Sequence, residues 1–297
     1  MWRESSSELD PLRGYGMSIT CVIVSYNNSE YLRQAVESVV VQTRPVDEII
    51  VADDASSDGS QDLIRELAAE HDKIRPIFRE QNLGVNRNRD LAIRAAAGDF
   101  VTFLDGDDFY YENKLALEWQ ALEAANTGVA CSNIDVVDAG GAVIETRDFS
   151  AFVGMPREDK VKLLALRPEA NPRDFLMPKK IYEQAGGFRS KFALYGDVDF
   201  KIRLAALPVK WVWSGCVGAA FRRTGSGLSS ALVKEHAKAL RLLLAENETL
   251  LTEILGARGY RRALKVVPAG RFRARARRWL GSAARVARRR LIGESGV

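Results

Sequence analysis

Three short apolar runs, residues 19–24, 49–52 and 100–104, are rich in β-branched and aromatic residues, and each breaks into polar residues at its C-terminal end. Runs without polar alternation fit strands buried on both faces, as in a parallel sheet. Between them lie stretches of helical spacing: Leu32, Val36, Val39 and Val40 after a capping Ser29, then Leu63, Ile64 and Leu67, then residues 85–97. Residues 74–78 read as one more strand. This alternation predicts βαβ crossovers and an α/β fold with a mostly parallel sheet flanked by helices. In such sheets the polar residues at the strand C-terminal ends gather in one crevice, where ligands bind. Ser25, Asp54 and residues 105–107 are therefore expected on a common rim, although they are far apart in the chain.

The run at 100–104 ends in Asp105-Gly106-Asp107-Asp108, and residues 100–109 contain no Lys or Arg. Carboxylates placed against a buried strand end are costly unless something positive compensates them. Hard oxygen ligands of this kind suit a divalent cation. A solvated Asp/Gly turn closing the strand fits the same residues.

The βα rhythm stops after a predicted helix at 111–126. Strands are expected at 129–137 and 142–146, then an irregular, charged, Pro-containing stretch at 148–174. A short helix at 181–185, a helix at 197–206, strands at 210–213 and 216–221, and one long Leu-rich helix at 233–255 follow. With 46% hydrophobic and 28% charged residues the chain is expected to fold. Cys21, Cys131 and Cys216 are odd in number, far apart and set in apolar runs, which points to free thiols in a reducing compartment. They form no zinc pattern with His71 and His236. No apolar run reaches 18 residues, and residues 1–16 lack the apolar core of a secretory signal. Order is expected from Ser18, which makes Met17 a candidate start.

Charge is unevenly spread. Of 43 Lys and Arg, 13 lie in residues 256–297, where Glu294 is the single acid; the rest of the chain carries 30 bases against 38 acids. An acidic body argues against a nucleic-acid-binding core. Within 271–290, Phe272, Ala276, Trp279, Ala283 and Val286 fall on one helical stripe among arginines. That pattern fits a helix lying on an anionic membrane surface, and equally a solvated arginine-rich tail.

Four motifs, in order across residues 17–230, resemble those of GT-A fold, family 2 glycosyltransferases of the bacterial surface-polysaccharide type. They are Cys21-Val-Ile-Val-Ser-Tyr-Asn27, Val51-Ala-Asp-Asp-Ala-Ser-Ser-Asp-Gly-Ser60, Asn82-Leu-Gly-Val85 through Ile93, and Leu104-Asp-Gly-Asp-Asp108. The resemblance implies a nucleotide-sugar-binding half (17–126), an acceptor-binding and catalytic half of the same domain (127–230) and a helical, Arg-rich C-terminal extension (231–297). It implies donor contacts from Ser25, Tyr26 and Asn27, from Asp54 toward a uracil N–H, and from Arg89, with Arg87 as its rival and Asp90 where Asn is usual. It also implies Mg²⁺ or Mn²⁺ at Asp107 with Asp105 as helper, bridging the diphosphate of a UDP-sugar. Alternate residues of an extended segment point the same way, which suits an Asp-x-Asp pair.

The family's Gly-Gly-Phe followed by Glu-Asp-x-Asp/Glu corresponds here to Gly186-Gly-Phe188 and Gly196-Asp197-Val-Asp199. The general base then maps to Asp197, with Gly196 in place of the usual Glu; Asp197 also fits a helix N-cap. Thr224 stands near the position of a family His, and Arg222 and Asp199 are further candidate phosphate or acceptor contacts. The implied activity is inverting transfer of a sugar to a glycan or lipid-linked acceptor, in the cytoplasm or on the inner face of the plasma membrane, with no nucleic-acid partner. A non-catalytic sugar-nucleotide-binding subunit remains open, motivated by Gly196 and Thr224. A sugar nucleotidyltransferase lacks its Gly-rich phosphate loop here.

Overall fold

A computed structural model describes residues 17–126, 128–168, 172–224 and 233–267. The lead at 1–16 and the basic segment 271–290 lie outside the described residues. In chain order the elements are β1 (Ile19–Ser25), α1 (Ser29–Val40), β2 (Glu48–Asp53), α2 (Ser60–Glu70), β3 (Ile74–Phe78), α3 (Val85–Arg94), β4 (Phe100–Asp105) and β5 (Phe109–Tyr110). Next come α4 (Lys114–Ala125), β6 (Val129–Val137), β7 (Val143–Arg147), α5 (Ser150–Val153), α6 (Arg157–Leu166), β8 (Met177–Pro178) and α7 (Lys179–Gln184). The last are α8 (Gly196–Ala206), β9 (Trp211–Arg222), α9 (Val233–Glu246) and α10 (Glu248–Val266).

One sheet runs β3-β2-β1-β4-β8, with its first four strands parallel and β8 antiparallel to β4. All of β1 is buried, as its unbroken apolar run requires. Leu32, Val36 and Val39 of α1 and Ile64 and Leu67 of α2 pack onto this sheet, and the Phe100 ring meets Trp119 of α4 edge-on at 4.8 Å. A second sheet, β5-β9-β6-β7, begins where β4 turns through Asp105–Asp108 into β5. The acidic turn therefore sits at the seam between the two sheets. Cys21 and Cys131 are buried free thiols and Cys216 is a half-buried one.

The second half differs from expectation in three places. The stretch expected to be irregular from residue 148 contains, among its described residues, α5 and α6, and α6 buries Val161, Leu164 and Ala165 within a sequence otherwise dominated by charge. The two strands expected at 210–213 and 216–221 are one strand. Gly215 (φ +79°) absorbs an irregularity there, and pairing to β6 resumes on either side, Cys131 with Trp213 and Asn133 with Val217. The single helix expected at 233–255 breaks at Asn247, whose side-chain amide donates to Leu243 O (2.9 Å) and to Asp199 Oδ1 (2.9 Å).

A buried ion pair joins the halves. Lys114 Nζ donates to Glu118 Oε2 (2.5 Å) and to the backbone carbonyl of Asp174 (2.6 Å), and Ser132 Oγ donates to Glu118 Oε1 (2.6 Å). The side chains of Lys114 and Glu118 are 1% and 0% exposed. Removing one member strands the other charge in the core, whereas removing both does not. Lys114→Met is expected to lower unfolding free energy by about 3–5 kcal/mol, and Lys114→Met/Glu118→Leu to recover most of it, measured by urea denaturation.

Candidate functional site

Ladder register assembles the rim. Ser25 pairs with Asp53 and Val24 with Asp105. The hydrogen bonding runs on past the strand ends: Asp54 N–H donates to Ser25 O (2.9 Å), Gly106 N–H to Val24 O (2.9 Å) and Arg79 N–H to Asp53 O (3.0 Å). A Cβ on Gly106 would stand 3.0 Å from Val24 O and from the Asn28 side chain, so the middle residue of Asp105-Gly-Asp107 must be small.

The loops after β1 and β2 are stitched together. Asn27 (φ +52°) donates its N–H to Ser56 Oγ (2.9 Å) and accepts from Ser57 N–H (2.9 Å), while Asp53 accepts from Ser56 N–H (2.9 Å) and Oγ (2.5 Å). Tyr26 projects from this wall with its side chain exposed. Ser25 Oγ is buried with no partner among the described residues, an arrangement that a bound ligand or water satisfies.

The Asp54 carboxylate accepts the N–H groups of Leu83 and Gly84, both at 2.8 Å. It thereby fixes the start of α3 and the direction in which that helix points its arginines. Arg89 faces inward, buried, with its guanidinium over the rings of Phe188 (5.1 Å) and Phe103 (5.8 Å) and ion-paired with Asp105 Oδ1; Arg87 is exposed. Asp90 accepts from Tyr182 OH (2.6 Å) and Phe188 N–H (3.1 Å), so it ties α3 to α7.

Charge is divided unequally within the acidic turn. Asp105 is half-buried, which pushes its carboxyl up, but Arg89 and then Arg173 outweigh this and hold it below the usual carboxylate range. Arg173 Nη2 lies 2.8 Å from Asp105 Oδ2 and 2.9 Å from Asp108 Oδ2, and Asp108 Oδ1 also accepts Arg222 N–H (2.8 Å). Asp107 has no such partner. Its carboxylate makes no ion pair or hydrogen bond to another described side chain, and burial together with the charge of Asp105 pushes its carboxyl up. A cation would relieve that. Among the described residues no group of three or more His, Cys, Asp or Glu is arranged as metal ligands. One or two carboxylates supplemented by phosphate oxygens and water is how Mg²⁺ is ordinarily held, so Asp107 and Asp105 fit a divalent cation that arrives with a diphosphate.

Asp197 opens α8 on the same rim, with its side chain 42% exposed and 3.0 Å from Lys201 Nζ one turn on. Desolvation pushes its carboxyl up, but Lys201, Arg173 and Arg89 outweigh that and hold it below the usual range. Its charge is felt at Asp105, so the proposed base and the acidic turn share one field.

Two expected contacts are turned to other work. Asp199 has no exposed side chain and is ion-paired with Arg203 (2.8 Å) and Arg189 (3.1 Å) besides its bond from Asn247, so it anchors α8 instead of facing an acceptor. Arg222, only 4% exposed, donates to Asp107 O (2.9 Å), Ala139 O (2.7 Å) and Gln34 Oε1 (2.6 Å) and lies over the Tyr31 ring (4.5 Å). It braces the acidic turn from behind, and its guanidinium is not presented to a phosphate.

Sequence reasoning missed Arg173, Lys201 and Asn86. Arg173 carried no signal, since its stretch read as irregular. The spacing of four between Asp197 and Lys201 on a predicted helix could have revealed that pair. Asn86 explains the glycine at 196: its amide donates to Phe192 O (2.6 Å), and a Cβ on Gly196 would come within 2.5 Å of Asn86 Cγ. The larger side chain usual in the resembling family has no room while Asn86 stands there.

Strand-end loops, an acidic turn at a sheet seam and a further carboxylate across the rim characterise an α/β protein of the GT-A type. Residues 20–195, well over half of the chain, match the family described as Glycosyl transferase family 2, and the chain belongs to that family. It is 34% identical over 130 residues to the uncharacterized glycosyltransferase alr2836 of Nostoc sp., covering 43% of this chain and 40% of that protein. It is also 34% identical over 97 residues to the putative teichuronic acid biosynthesis glycosyltransferase TuaG of Bacillus subtilis, covering 33% and 38%. The matched region thus spans well under half the length of these relatives. Among solved structures, S. aureus TarS 1–349 in complex with UDP-GlcNAc superposes with a TM-score of 0.67 at 18% identity, covering 86% of this chain and 75% of that one. The likeness establishes the GT-A fold.

Gly196→Ala is expected to cost about 1–3 kcal/mol through the forced displacement of Asn86. Asn86→Ala in the same chain should restore part of it, read from thermal melts of the three variants.

Proposed function

We propose that this protein is an inverting glycosyltransferase that moves a sugar from a nucleoside-diphosphate sugar, a UDP-sugar in particular, to a hydroxyl of a glycan or lipid-linked acceptor in cell-surface polysaccharide synthesis. The observation that carries this is the pairing of an ionised, half-exposed Asp197 with an acidic turn whose Asp107 makes no ion pair with a described side chain, both on one rim of the sheet. The complex of TarS with UDP-GlcNAc supports a UDP-sugar donor, and the likeness to TuaG supports a polysaccharide acceptor.

In this reading the loop Ser25-Tyr26-Asn27 and the segment begun by Asp54 wall the base. Ser25 Oγ and Arg89 Nε, both buried without partners among the described residues, are available to the donor. Asp107, helped by Asp105, would hold a Mg²⁺ or Mn²⁺ ion, which when bound supplies positive charge to the leaving diphosphate. Asp197 accepts the proton of the acceptor hydroxyl as that oxygen bonds to the anomeric carbon. The bond from that carbon to the diphosphate oxygen breaks, and the nucleoside diphosphate leaves with the electron pair. A single displacement inverts the anomeric configuration. Holding acceptor and donor in one crevice supplies much of the acceleration. Among the described residues no helix is long and apolar enough to cross a membrane, and we assign any membrane contact to the basic segment 271–290.

Asp197→Asn is expected to lower turnover roughly 100- to 10,000-fold with UDP-sugar binding retained, checked by product formation and calorimetry; near-wild-type turnover would remove Asp197 from the base role. The pH dependence carries a sign. Because Lys201 lowers the Asp197 pKa, the base stays ionised until pH falls below the ordinary carboxylate range. Lys201→Met removes that pull while desolvation stays, so the acid limb of the kcat profile should move to higher pH.

A further inference from the structure

The segment leading into β8 is held with unusual care for a loop. Ala130 and Leu176 exchange backbone hydrogen bonds (2.9 and 3.1 Å), Asp174 takes φ +54°, and the buried Lys114 Nζ grips the Asp174 carbonyl. These constraints deliver one side chain, Arg173, to the acidic turn. Its guanidinium lies over the Phe221 ring at 4.3 Å, and one nitrogen, Nη2, reaches both Asp105 and Asp108.

Both Asp105 oxygens are thus engaged, Oδ1 by Arg89 and Oδ2 by Arg173. A divalent cation that uses Asp105 must displace one guanidinium or share an oxygen with it. Arg89 stands on a regular helix, with its side chain 6% exposed and packed between two phenylalanine rings. The Arg173 side chain is 19% exposed, against 6% for Arg89, so it is the easier guanidinium to move although its backbone is held. If it leaves, Asp108 still accepts the N–H of Arg222. If it stays with a cation added, three positive groups crowd Asp105.

We propose that Arg173 is the resident counter-ion of the acidic turn, a positioning residue that neutralises Asp105 and Asp108 in the donor-free protein and competes with the divalent cation for Asp105. The inference rests on the reading of Asp107 and Asp105 as a cation site. It makes the protein a poor binder of free metal. The cation is accepted when a diphosphate supplies further oxygen ligands and a new partner for the displaced guanidinium.

The test is binding of Mn²⁺ alone to the full chain, by water-proton relaxation, in wild type and in Arg173→Gln, with thermal melts confirming both folds. The Gln variant should bind Mn²⁺ at least tenfold more tightly than wild type, and Arg173→Lys, which keeps the charge, should stay within about threefold of wild type. Unchanged or weaker Mn²⁺ binding by a folded Arg173→Gln, in a protein whose wild type does bind Mn²⁺ with UDP, overturns the counter-ion role alone. Absence of Mn²⁺ binding in every variant, with UDP present, overturns the cation site and this proposal together. If Arg173→Gln does not fold, the wild-type Arg173 side-chain ¹⁵N resonance, assigned by its loss in Arg173→Lys, should move on addition of Mg²⁺ and UDP. A resonance that does not move overturns the proposal.

Discussion

Asp105 lies between two guanidiniums, and the arrangement of the rim follows from that balance. A carboxylate at the end of a buried strand is expensive to keep ionised unless positive groups reach it. Arg89 comes to it from α3 and Arg173 from the segment before β8, so the two halves of the domain meet on one side chain. The direction of α3 depends in turn on Asp54, which binds the backbone at Leu83 and Gly84. Strand register, helix start and ion pair form one chain of causes.

The aspartates of this protein divide by how fully their oxygens are engaged. Asp53, Asp54, Asp90 and Asp199 accept hydrogen bonds from backbone or neighbouring side chains and serve architecture: they close a loop, start a helix, tie α3 to α7 and anchor α8. Asp107 makes no ion pair with a described side chain, and Asp197 is half-exposed beside a single lysine. Structural acids are satisfied within the fold, whereas acids that meet substrates keep capacity in reserve. By that criterion Asp107 and Asp197 are the carboxylates the fold leaves incomplete, whereas Asp105, the helper, is already paired with Arg89 and Arg173.

The parallel sheet was legible because buried strands and amphipathic helices write different periods, and residues 19–105 keep those periods cleanly. The Asp105-Gly-Asp107 turn was legible for a related reason: its acids follow an apolar strand with no local base, so a distant partner was required. That Arg222 braces the turn and Asp199 anchors a helix could not be read, since Arg222 depends on partners 83 to 188 positions away and Asp199 on Asn247 at the break between α9 and α10. Arg173 was hidden for the same reason. Helix α6 was missed because only one face of a highly charged segment is apolar, and the break at Asn247 was missed because a tertiary hydrogen bond overrides an otherwise helical pattern. Gly196 read as a weakness of the site. With Asn86 beside it, it is a steric requirement.

The central claim is that the acidic turn, and no other part of the rim, receives a diphosphate together with a divalent cation. Crystals grown with UDP and Mn²⁺ and measured near the manganese absorption edge test it directly. The account predicts an anomalous peak within coordinating distance of the Asp107 carboxylate and of the UDP phosphates, with the base against the Ser25-Tyr26-Asn27 loop. A UDP molecule seated on that rim with no manganese at Asp107, or manganese bound elsewhere, would contradict it.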